Sequence, residues 1–489
     1  MINVIFDFDS GRKKAILTSD CLQEVREFFS VEDKTQKFKR RFSVGWRPSS
    51  RIYAITPQGR FDLRLHNEIL RYIKSKHVTC NVEYTSAFKT AGNIPRLDSK
   101  IVTTLKIPLR DYQLECVEQA LDLGSGVIVL PTSAGKTLVM ATLVSSIQDQ
   151  LSLSFKTLIL VPDLQLVMQS CSDFIEYGID ESRITKWTGS HEPNPDASII
   201  VANSQILLSE KQDTSILKNI QLLVIDEVHK LKQSNKISKL VAKIPAKMRY
   251  GLTGTMPDEN IDKWHIIGQL GDIIYKKKSI DLRELNYISS VRVVILKMMY
   301  ANAPYIEASN SSNPTAAYEQ ELEFLQHNKF RNKTIQTLAD SLTKNTLILV
   351  DRIVHGEILL EQLKANTKKE VYFICGSVEL EERERVRNLM ETNDNVVCVA
   401  ISKIFSTGVN IRNLHYIVFA SIGKAKIKII QSIGRSLRLH SSKKQATIFD
   451  IGDDMRYGNN HLFERISLYD SESIPHSTKI IKEPNENNN

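Results

Sequence analysis

The chain has little cysteine, no long hydrophobic run and no leader-like start. Its six cysteines are scattered over 489 residues without a CxxC pair, which argues against a disulfide framework or a zinc site and favours reduced thiols. No apolar run approaches the roughly 20 residues needed to cross a bilayer. The first residues lack the basic and apolar regions of a secretory signal. We therefore expect a soluble, cytoplasmic protein.

Positive charge is in modest excess, and one segment concentrates it. The net charge of +9 is only a weak indication of a polyanionic partner. Segment 37–53, KFKRRFSVGWRPSSRIY, holds six basic residues, no acid and four aromatics, although aromatics make up only 7% of the chain. This composition suits phosphate binding and base stacking; alternatively, its aromatics form a core from which the basic side chains extend. The candidate nucleic-acid contacts here are Lys39, Arg40, Arg41 and Trp46.

Short apolar runs alternate with helical patterns from about residue 100 onward. This alternation predicts βαβ units and parallel sheets, hence an α/β fold with two tandem lobes. The expected strands are 126–130, 157–161, 198–202, 222–226, 346–350, 370–375, 395–401, 415–420 and 445–450. The predicted organisation is a small α+β domain at 1–90, a first lobe at 91–284, a connection at 285–320, a second lobe at 321–455 and a tail at 456–489.

The stretch LPTSAGKT, residues 130–137, has the features of a phosphate-binding loop. It lies between a strand and a helix, as such a loop requires, although Leu130 occupies the place of the usual first glycine. Lys136 would neutralise the β- and γ-phosphates, and Thr137 would hold Mg²⁺. A chance GKT in a strand–helix turn is the alternative. The candidate ATP contacts are Pro131, Thr132, Ser133, Ala134, Gly135, Lys136 and Thr137.

A second motif, LLVIDEVH, places two carboxylates at the end of an apolar strand. Chemistry on a magnesium-bound nucleotide needs one carboxylate to position the metal and another to orient or deprotonate the attacking water. Asp226 suits the first role and Glu227 the second. A solvated acidic turn is the common alternative, but its occurrence together with the loop favours a nucleotide hydrolase.

The order of motifs resembles that of superfamily 2 helicases, and more closely the UvsW-type helicases of phages. It comprises the loop, DEVH, LTGT at 252–255 and QSIGRSLR at 431–438, with FSTGVNIRNLHYIVFA between the last two. The resemblance implies two RecA-like lobes with an N-terminal DNA-binding domain. It also implies ATP-dependent remodelling of branched DNA, such as forks, displacement loops and Holliday junctions, in recombination, replication and repair. A monomer in the host cytoplasm, with a single-strand-binding protein as partner, completes this expectation.

Two alternatives to a DNA motor stay open on the sequence. An RNA helicase would differ only in its polymer, although DEVH with TGT is unlike the DEAD with SAT of RNA helicases. A DNA-binding or annealing protein could use ATP only as a switch, but such a switch needs neither a base nor arginine fingers.

The resemblance also assigns roles around the nucleotide. Tyr112 and Gln113 would read adenine, and Gly408 would lie near the nucleotide. His229, Thr253 and Thr255 would couple the ATP state to lobe closure. Arg435 and Arg438, spaced on one helical face with Gln431, would act as arginine fingers on the transferred phosphate, with Gln431 ordering the water.

The same resemblance implies contacts to nucleic acid on both lobes. Asp163 stands where a threonine is usual, and a carboxylate beside a phosphate backbone is unfavourable. Asn410 takes the place of an aspartate that related helicases carry near the ribose. The candidate contacts are Pro162, Gln169, Asn203, Gln205, Gly376, Arg383, Ser406 and Thr407.

Overall fold

A computed structural model gives the fold. It describes residues 2–33, 51–77, 79–131, 134–189, 191–209, 214–278, 281–282, 290–301, 314–402, 411, 413–420, 445–471 and 474–484. The chain forms two compact units: Met1–Pro131 with Gly135–Lys277, and Lys278–Asn489 with Thr132–Ala134. Among the described residues, no helix combines the length and the apolar character that crossing a membrane requires.

The first unit begins with a small mixed sheet and three helices. The sheet has the strand order β5-β2-β1-β6, and β3 pairs separately with β4. β1 is antiparallel to β2 and parallel to β6. The elements are β1 Ile2–Asp9, β2 Lys14–Ser19, α1 Leu22–Phe28, β3 Ser30–Glu32, β4 Arg51–Tyr53, β5 Arg60–Phe61, α2 His66–Lys76, β6 Cys80–Tyr84 and α3 Ser86–Gly92.

A seven-stranded sheet follows, in the order β13-β7-β12-β11-β8-β10-β9. All six pairings are parallel, as expected of continuous apolar strands covered on both faces. The elements are α4 Asp111–Leu123, β7 Ser125–Val129, α5 Lys136–Leu151, β8 Thr157–Val161, α6 Leu164–Glu176, β9 Ile184–Trp187, β10 Ile199–Asn203, β11 Leu222–Asp226, α7 Lys236–Lys243, β12 Met248–Thr253, α8 Asn260–Leu270 and β13 Ile273–Lys276.

Helix α8 joins the N-terminal elements to this sheet. Its residues Ile261, Trp264 and Ile267 are buried in the same hydrophobic cluster as Val25 and Phe29. Polar contacts surround this core, because Asp272 accepts hydrogen bonds from Asn67 (3.1 Å) and Arg71 (2.9 Å). A Cβ at Gly268 would lie 2.6 Å from the Cβ of Asp62, so only glycine allows this approach. The N-terminal elements therefore share a core with the first lobe.

The second unit contains another seven-stranded parallel sheet, in the order β16-β17-β15-β18-β19-β14-β20. Two such sheets and the small N-terminal region confirm the predicted fold class. The elements are β14 Ser290–Met299, α9 Pro314–His327, α10 Lys329–Ser341, β15 Thr346–Val350, α11 Ile353–Asn366, β16 Glu370–Ile374, α12 Leu380–Thr392, β17 Val396–Ile401, β18 Tyr416–Phe419, β19 Gln445–Asp453, α13 Arg456–Ser471 and β20 His476–Lys482.

This second sheet draws strands from beyond the expected lobe at 321–455. β14 lies in the expected connection, and α13 and β20 lie in the expected tail. β14 pairs with both β19 and β20. The sequence of β20, HSTKIIK, has no continuous apolar run because this edge strand is exposed along almost its whole length.

Buried ion pairs hold the carboxyl edge of the second sheet. Arg331, fully buried on α10, donates from Nε to Asp453 Oδ1 (2.8 Å) and from Nη2 to the carbonyl oxygen of Ala420 (2.9 Å). Tyr300 donates to the same carboxylate (2.6 Å). Asp453 ends β19, Ala420 follows β18 and Tyr300 follows β14. The guanidinium therefore joins the ends of β18 and β19, and Tyr300 joins the end of β14 to the same carboxylate.

Candidate active site

The strand order of the first lobe brings three predicted motifs to one edge. Strand β12 lies between β7 and β11, with Thr253 opposite Val129 and Leu252 opposite Asp226. Because carboxyl ends of parallel strands share one edge, the segments that follow these strands are neighbours. These segments are the phosphate loop after β7, Glu227 after β11 and the TGT turn after β12.

The phosphate loop ends in a helix N-terminus that only glycine can form. Gly135 has φ +74° and caps the 16-residue helix α5. A Cβ at Gly135 would lie 2.4 Å from Gln113 Nε2. Gln113 is itself buried, and its Oε1 accepts a hydrogen bond from the backbone N–H of Arg110 (2.9 Å). The loop and the predicted adenine-reading glutamine are therefore packed together, with Tyr112 buried beside it in α4.

Leu130, which takes the place of the usual first glycine of the loop, is held by both its backbone and its side chain. Its backbone N–H donates to the carbonyl oxygen of Thr253 (2.9 Å), so it continues the pairing of β7 with β12. Its side chain is fully buried. Lys136 Nζ donates to the carbonyl oxygen of Leu130 (3.2 Å), which folds the lysine back over the loop. Pro131 and Ala134 are buried, and Thr137 is half-buried.

The acidic motif has an unusual backbone. Glu227 is 8% exposed and adopts the left-handed region, with φ 51° and ψ 49°. A residue with a Cβ is strained there by about 1–2 kcal/mol. The backbone N–H of Glu227 donates to Asp226 Oδ1 (2.9 Å), which holds the Asp226 carboxylate against the backbone of Glu227. Strain at such a position is common at functional sites.

A polar chain connects Glu227 to the TGT turn. His229 Nδ1 lies 3.2 Å from Glu227 Oε2 and 2.9 Å from Thr253 Oγ1. Thr253 is fully buried, and its hydroxyl donates to the carbonyl oxygen of Thr255 (2.8 Å). The structure thus brings together all three predicted coupling residues and the predicted base.

The candidate DNA contacts of the first lobe are partly used in local structure. Asp163, which stands in place of a threonine, caps α6 by accepting from the N–H of Leu166 (3.0 Å). Asn203 Oδ1 accepts from the N–H of Gln205 (2.7 Å) and forms a turn. Gln205 is exposed, whereas Pro162 and Gln169 are half-buried. The Asp163 carboxylate therefore has a structural reason that the sequence did not reveal.

Arg383 of the second lobe lies against its own loop. Its guanidinium donates to the carbonyl oxygens of Val378 (2.8 Å), Gly376 (2.9 Å) and Cys375 (3.3 Å). These bonds shape the turn that presents the exposed Gly376. The contact with nucleic acid predicted for Arg383 stays a prediction.

The remaining predicted site residues lie outside the described residues. They are Lys39, Arg40, Arg41, Trp46, Thr132, Ser133, Ser406, Thr407, Gly408, Asn410, Gln431, Arg435 and Arg438.

The sequence reasoning missed Arg249, a buried side chain of β12 that lies opposite Leu223, near the amino end of both strands. Its guanidinium donates to the carbonyl oxygens of Ala246 (2.8 Å), Val241 (3.1 Å) and Ile244. Burial lowers the pKa of Arg249 to about 9. The only sequence signal is an arginine inside the apolar strand MRYGLT.

Two family models match the chain, one within each lobe. "Type III restriction enzyme, res subunit" matches residues 106–258, and "Helicase conserved C-terminal domain" matches residues 330–440. With two parallel-sheet lobes and the motifs in order, the chain belongs to the superfamily 2 helicases. It is an ATP-dependent DNA helicase.

Within that class, the predicted resemblance to UvsW is confirmed. The chain is 26% identical over 499 residues to the ATP-dependent DNA helicase uvsW of Enterobacteria phage T4, covering 94% of this chain and 95% of that protein. A shorter match is the DNA 3'-5' translocase XPB2 of Sulfurisphaera tokodaii, 31% identical over 198 residues, 40% of this chain and 42% of that one. The helicase domain of Pyrococcus furiosus Hef has a similar fold, with a TM-score of 0.51 and 16% identity, over 74% of this chain and 100% of that domain.

Proposed function

We propose that this helicase remodels branched DNA, such as forks, displacement loops and four-way junctions, in recombination, replication and repair. The observation that carries the proposal is the chain of contacts from Glu227 through His229 to Thr253, one strand from the phosphate loop. Such a chain gives hydrolysis a route to the rest of the lobe. The branched substrate is supported by similarity to the phage helicase along nearly the whole chain.

ATP hydrolysis would use the side chains at the carboxyl edge of the first sheet. The N-terminus of α5 and the ammonium group of Lys136 would bind the β- and γ-phosphates. Gln113, held beside Gly135, would read the adenine. Thr137 and Asp226 fit Mg²⁺ as a hydroxyl and a carboxylate, and the ion would neutralise phosphate charge. Glu227 would orient the attacking water and accept its proton, while Gln431, Arg435 and Arg438 would stabilise the charge on the transferred phosphate.

DNA contacts and partners extend this proposal. Gln205 and Gln169 of the first lobe, with Gly376 of the second, would contact the backbone. Lys39, Arg40, Arg41 and Trp46 would bind the branch, together with Ser406 and Thr407 on the second lobe. A monomer that cooperates with a single-strand-binding protein would suffice for this activity.

ATP hydrolysis tests the proposal when measured without polymer and with single-stranded DNA, a synthetic four-way junction and single-stranded RNA. We expect stimulation by DNA, strongest with the junction. Lys136→Ala is the control, and it should abolish turnover while leaving DNA affinity largely intact. Stimulation by RNA alone would make the chain an RNA helicase. DNA binding without turnover in the unaltered chain would make it a binding or annealing protein with an ATP switch.

A further inference from the structure

The thirty residues from Val228 to Pro257 contain six lysines, one arginine and no acidic residue. Together with segment 37–53 they hold thirteen of the chain's 65 basic residues. The other 52 basic residues face 56 acidic ones. The net positive charge of the protein is therefore confined to these two stretches. The structure describes all of the second stretch and only Arg51–Tyr53 of the first.

All six lysines of this stretch are exposed, and we name them the lysine surface: Lys230, Lys232, Lys236, Lys239, Lys243 and Lys247. Lys236, Lys239 and Lys243 follow one another at i, i+3 and i+7 on one face of α7. They span about 10 Å along the helix, which is the axial length of about three phosphates of one DNA strand. The charges are therefore spaced for a backbone.

The opposite face of α7 holds the surface in place. Val241 and Ile244 belong to the hydrophobic core of the first lobe, and Ile237 and Leu240 pack against it. Arg249 is not part of the exposed surface. It donates to the carbonyl oxygens of Val241, Ile244 and Ala246 and so fixes the end of the helix. At the other end, Asn235 Nδ2 donates to the carbonyl oxygen of Lys230 (2.9 Å).

The lysines have no acidic partners in the described part of the chain, where no carboxylate oxygen lies within 4.0 Å of any of the six ammonium groups. Half-buried lysines elsewhere do find such partners, as Lys344 does with Asp394 and Lys297 does with Asp454. Since surface charges of one sign repel each other, an unneutralised row on a fixed helix indicates a polyanionic ligand.

The position of the surface connects it to the motor. The N–H of Lys230 donates to the carbonyl oxygen of Glu227 (3.0 Å), so the surface starts directly after the candidate base. Helix α7 packs against the turn Ile206–Leu208, which follows the candidate DNA contact Gln205.

We propose that the lysine surface binds the phosphate backbone of duplex DNA and forms a second contact with the branched substrate. Single-strand sites add aromatic stacking platforms to basic charge. The one aromatic residue between Val228 and Pro257, Tyr250, is fully buried. The surface can therefore read only the backbone, which a duplex presents on its outside.

This inference rests on the proposed function, and its test separates the two. We would titrate the full-length protein with a blunt duplex and with a single strand of the same length, over a series of salt concentrations. The variant is Lys236→Gln/Lys239→Gln/Lys243→Gln. The matched control is Lys100→Gln/Lys364→Gln/Lys368→Gln, which removes the same charge from other exposed positions. A third variant with arginine at 236, 239 and 243 keeps the charge.

For the duplex, log affinity falls as log salt rises, and the glutamine variant should make this slope shallower by about 2 to 3. Each lost phosphate contact accounts for about 0.9 of that change. The control and the arginine variant should keep the original slope. ATP hydrolysis without DNA should be equal in all four proteins, which shows that the variants are folded. A glutamine variant that behaves like the control, or loses only single-strand binding, overturns the inference. If the unaltered protein shows no DNA-stimulated hydrolysis, the proposed function fails, whatever the slopes are.

Discussion

The two seven-stranded sheets use the same edge in different ways. At the carboxyl edge of the first, Glu227, His229 and Thr253 form a chain, and the carbonyl oxygen of Thr253 accepts a hydrogen bond from Leu130 at the start of the candidate phosphate loop. At the carboxyl edge of the second, Arg331, Asp453 and Tyr300 form a network in which the charged pair is fully buried. We therefore expect the same architecture to serve chemistry in the first unit and rigidity in the second.

The two edges differ in backbone strain and in hydrogen bonding. The first edge keeps Glu227, the predicted base, in a left-handed conformation that costs stability. The second edge joins the ends of three strands through Arg331, Asp453 and Tyr300. Substitutions at the first edge should therefore affect turnover, and substitutions at the second should affect stability.

The largest expected effect is at Glu227. Glu227→Gln should lower ATP turnover by roughly 10²- to 10⁴-fold, because general-base assistance contributes about that much. Its thermal unfolding should stay close to that of the unaltered protein, since the amide keeps the same shape. Steady-state hydrolysis and calorimetry check both statements. Undiminished turnover would remove Glu227 from the chemistry.

Arg331 should give the converse result. Arg331→Met leaves Asp453 buried without its partner, which should destabilise the second unit by about 3–5 kcal/mol. Urea unfolding measures the loss. Arg331→Met combined with Asp453→Leu should recover most of it, because the buried charge is gone. Equal stability of the single variant and the unaltered protein would contradict the role of the pair.

A smaller, pH-dependent effect is expected at His355 of α11. Burial, with the nearby charge of Arg331, lowers the pKa of His355 to about 3, and its Nε2 lies 3.0 Å from Asn332 Oδ1. Between that value and about 6.5, the unfolded chain binds a proton that the folded chain does not. Stability should therefore fall by about 2 kcal/mol from pH 7 to pH 5 on this account. Urea unfolding at both pH values checks the prediction. His355→Gln should remove this part of the pH dependence, and an unchanged pH dependence would refute it.

The smallest effect is at the helix cap of α6. Asp163→Ala should destabilise the first unit by about 1 kcal/mol, the usual worth of such a cap. Asp163→Thr keeps a capping oxygen and should lose less, while removing a negative charge beside the candidate DNA contacts. Denaturation and DNA titration of both variants measure the two consequences. If alanine and threonine destabilise equally, the cap does not matter.

The strands of both sheets were largely predictable from the sequence. Thr157–Val161, Leu222–Asp226 and Thr346–Val350 have the expected bounds because each is an uninterrupted apolar run buried on both faces. β20 could not be predicted, since its sequence has neither a continuous apolar run nor an alternation of apolar and polar residues. It is a strand because it pairs with β14. A strand buried on both faces can be recognised from its apolar residues, whereas an exposed edge strand is defined by pairing with a partner far away in the sequence.

The candidate site was predictable in its members and less so in its contacts. Motif order identified Glu227, His229 and Thr253 before their separations were known. It could not show that Arg383 bonds its own loop, or that Asp163 caps a helix, because both depend on backbone direction. The lysine surface was also missed, since its charges are spread over thirty residues instead of one short run.

Helix α8 makes the N-terminal region inseparable from the motor. Ile261, Trp264 and Ile267 are less than a tenth exposed only because the N-terminal elements cover them. A truncated protein that starts at the first lobe would expose an indole and two isoleucines to water as a hydrophobic patch that favours aggregation. We therefore expect that the N-terminal region cannot be replaced by that of another helicase without loss of stability. Its sequence and that of α8 are constrained to change together.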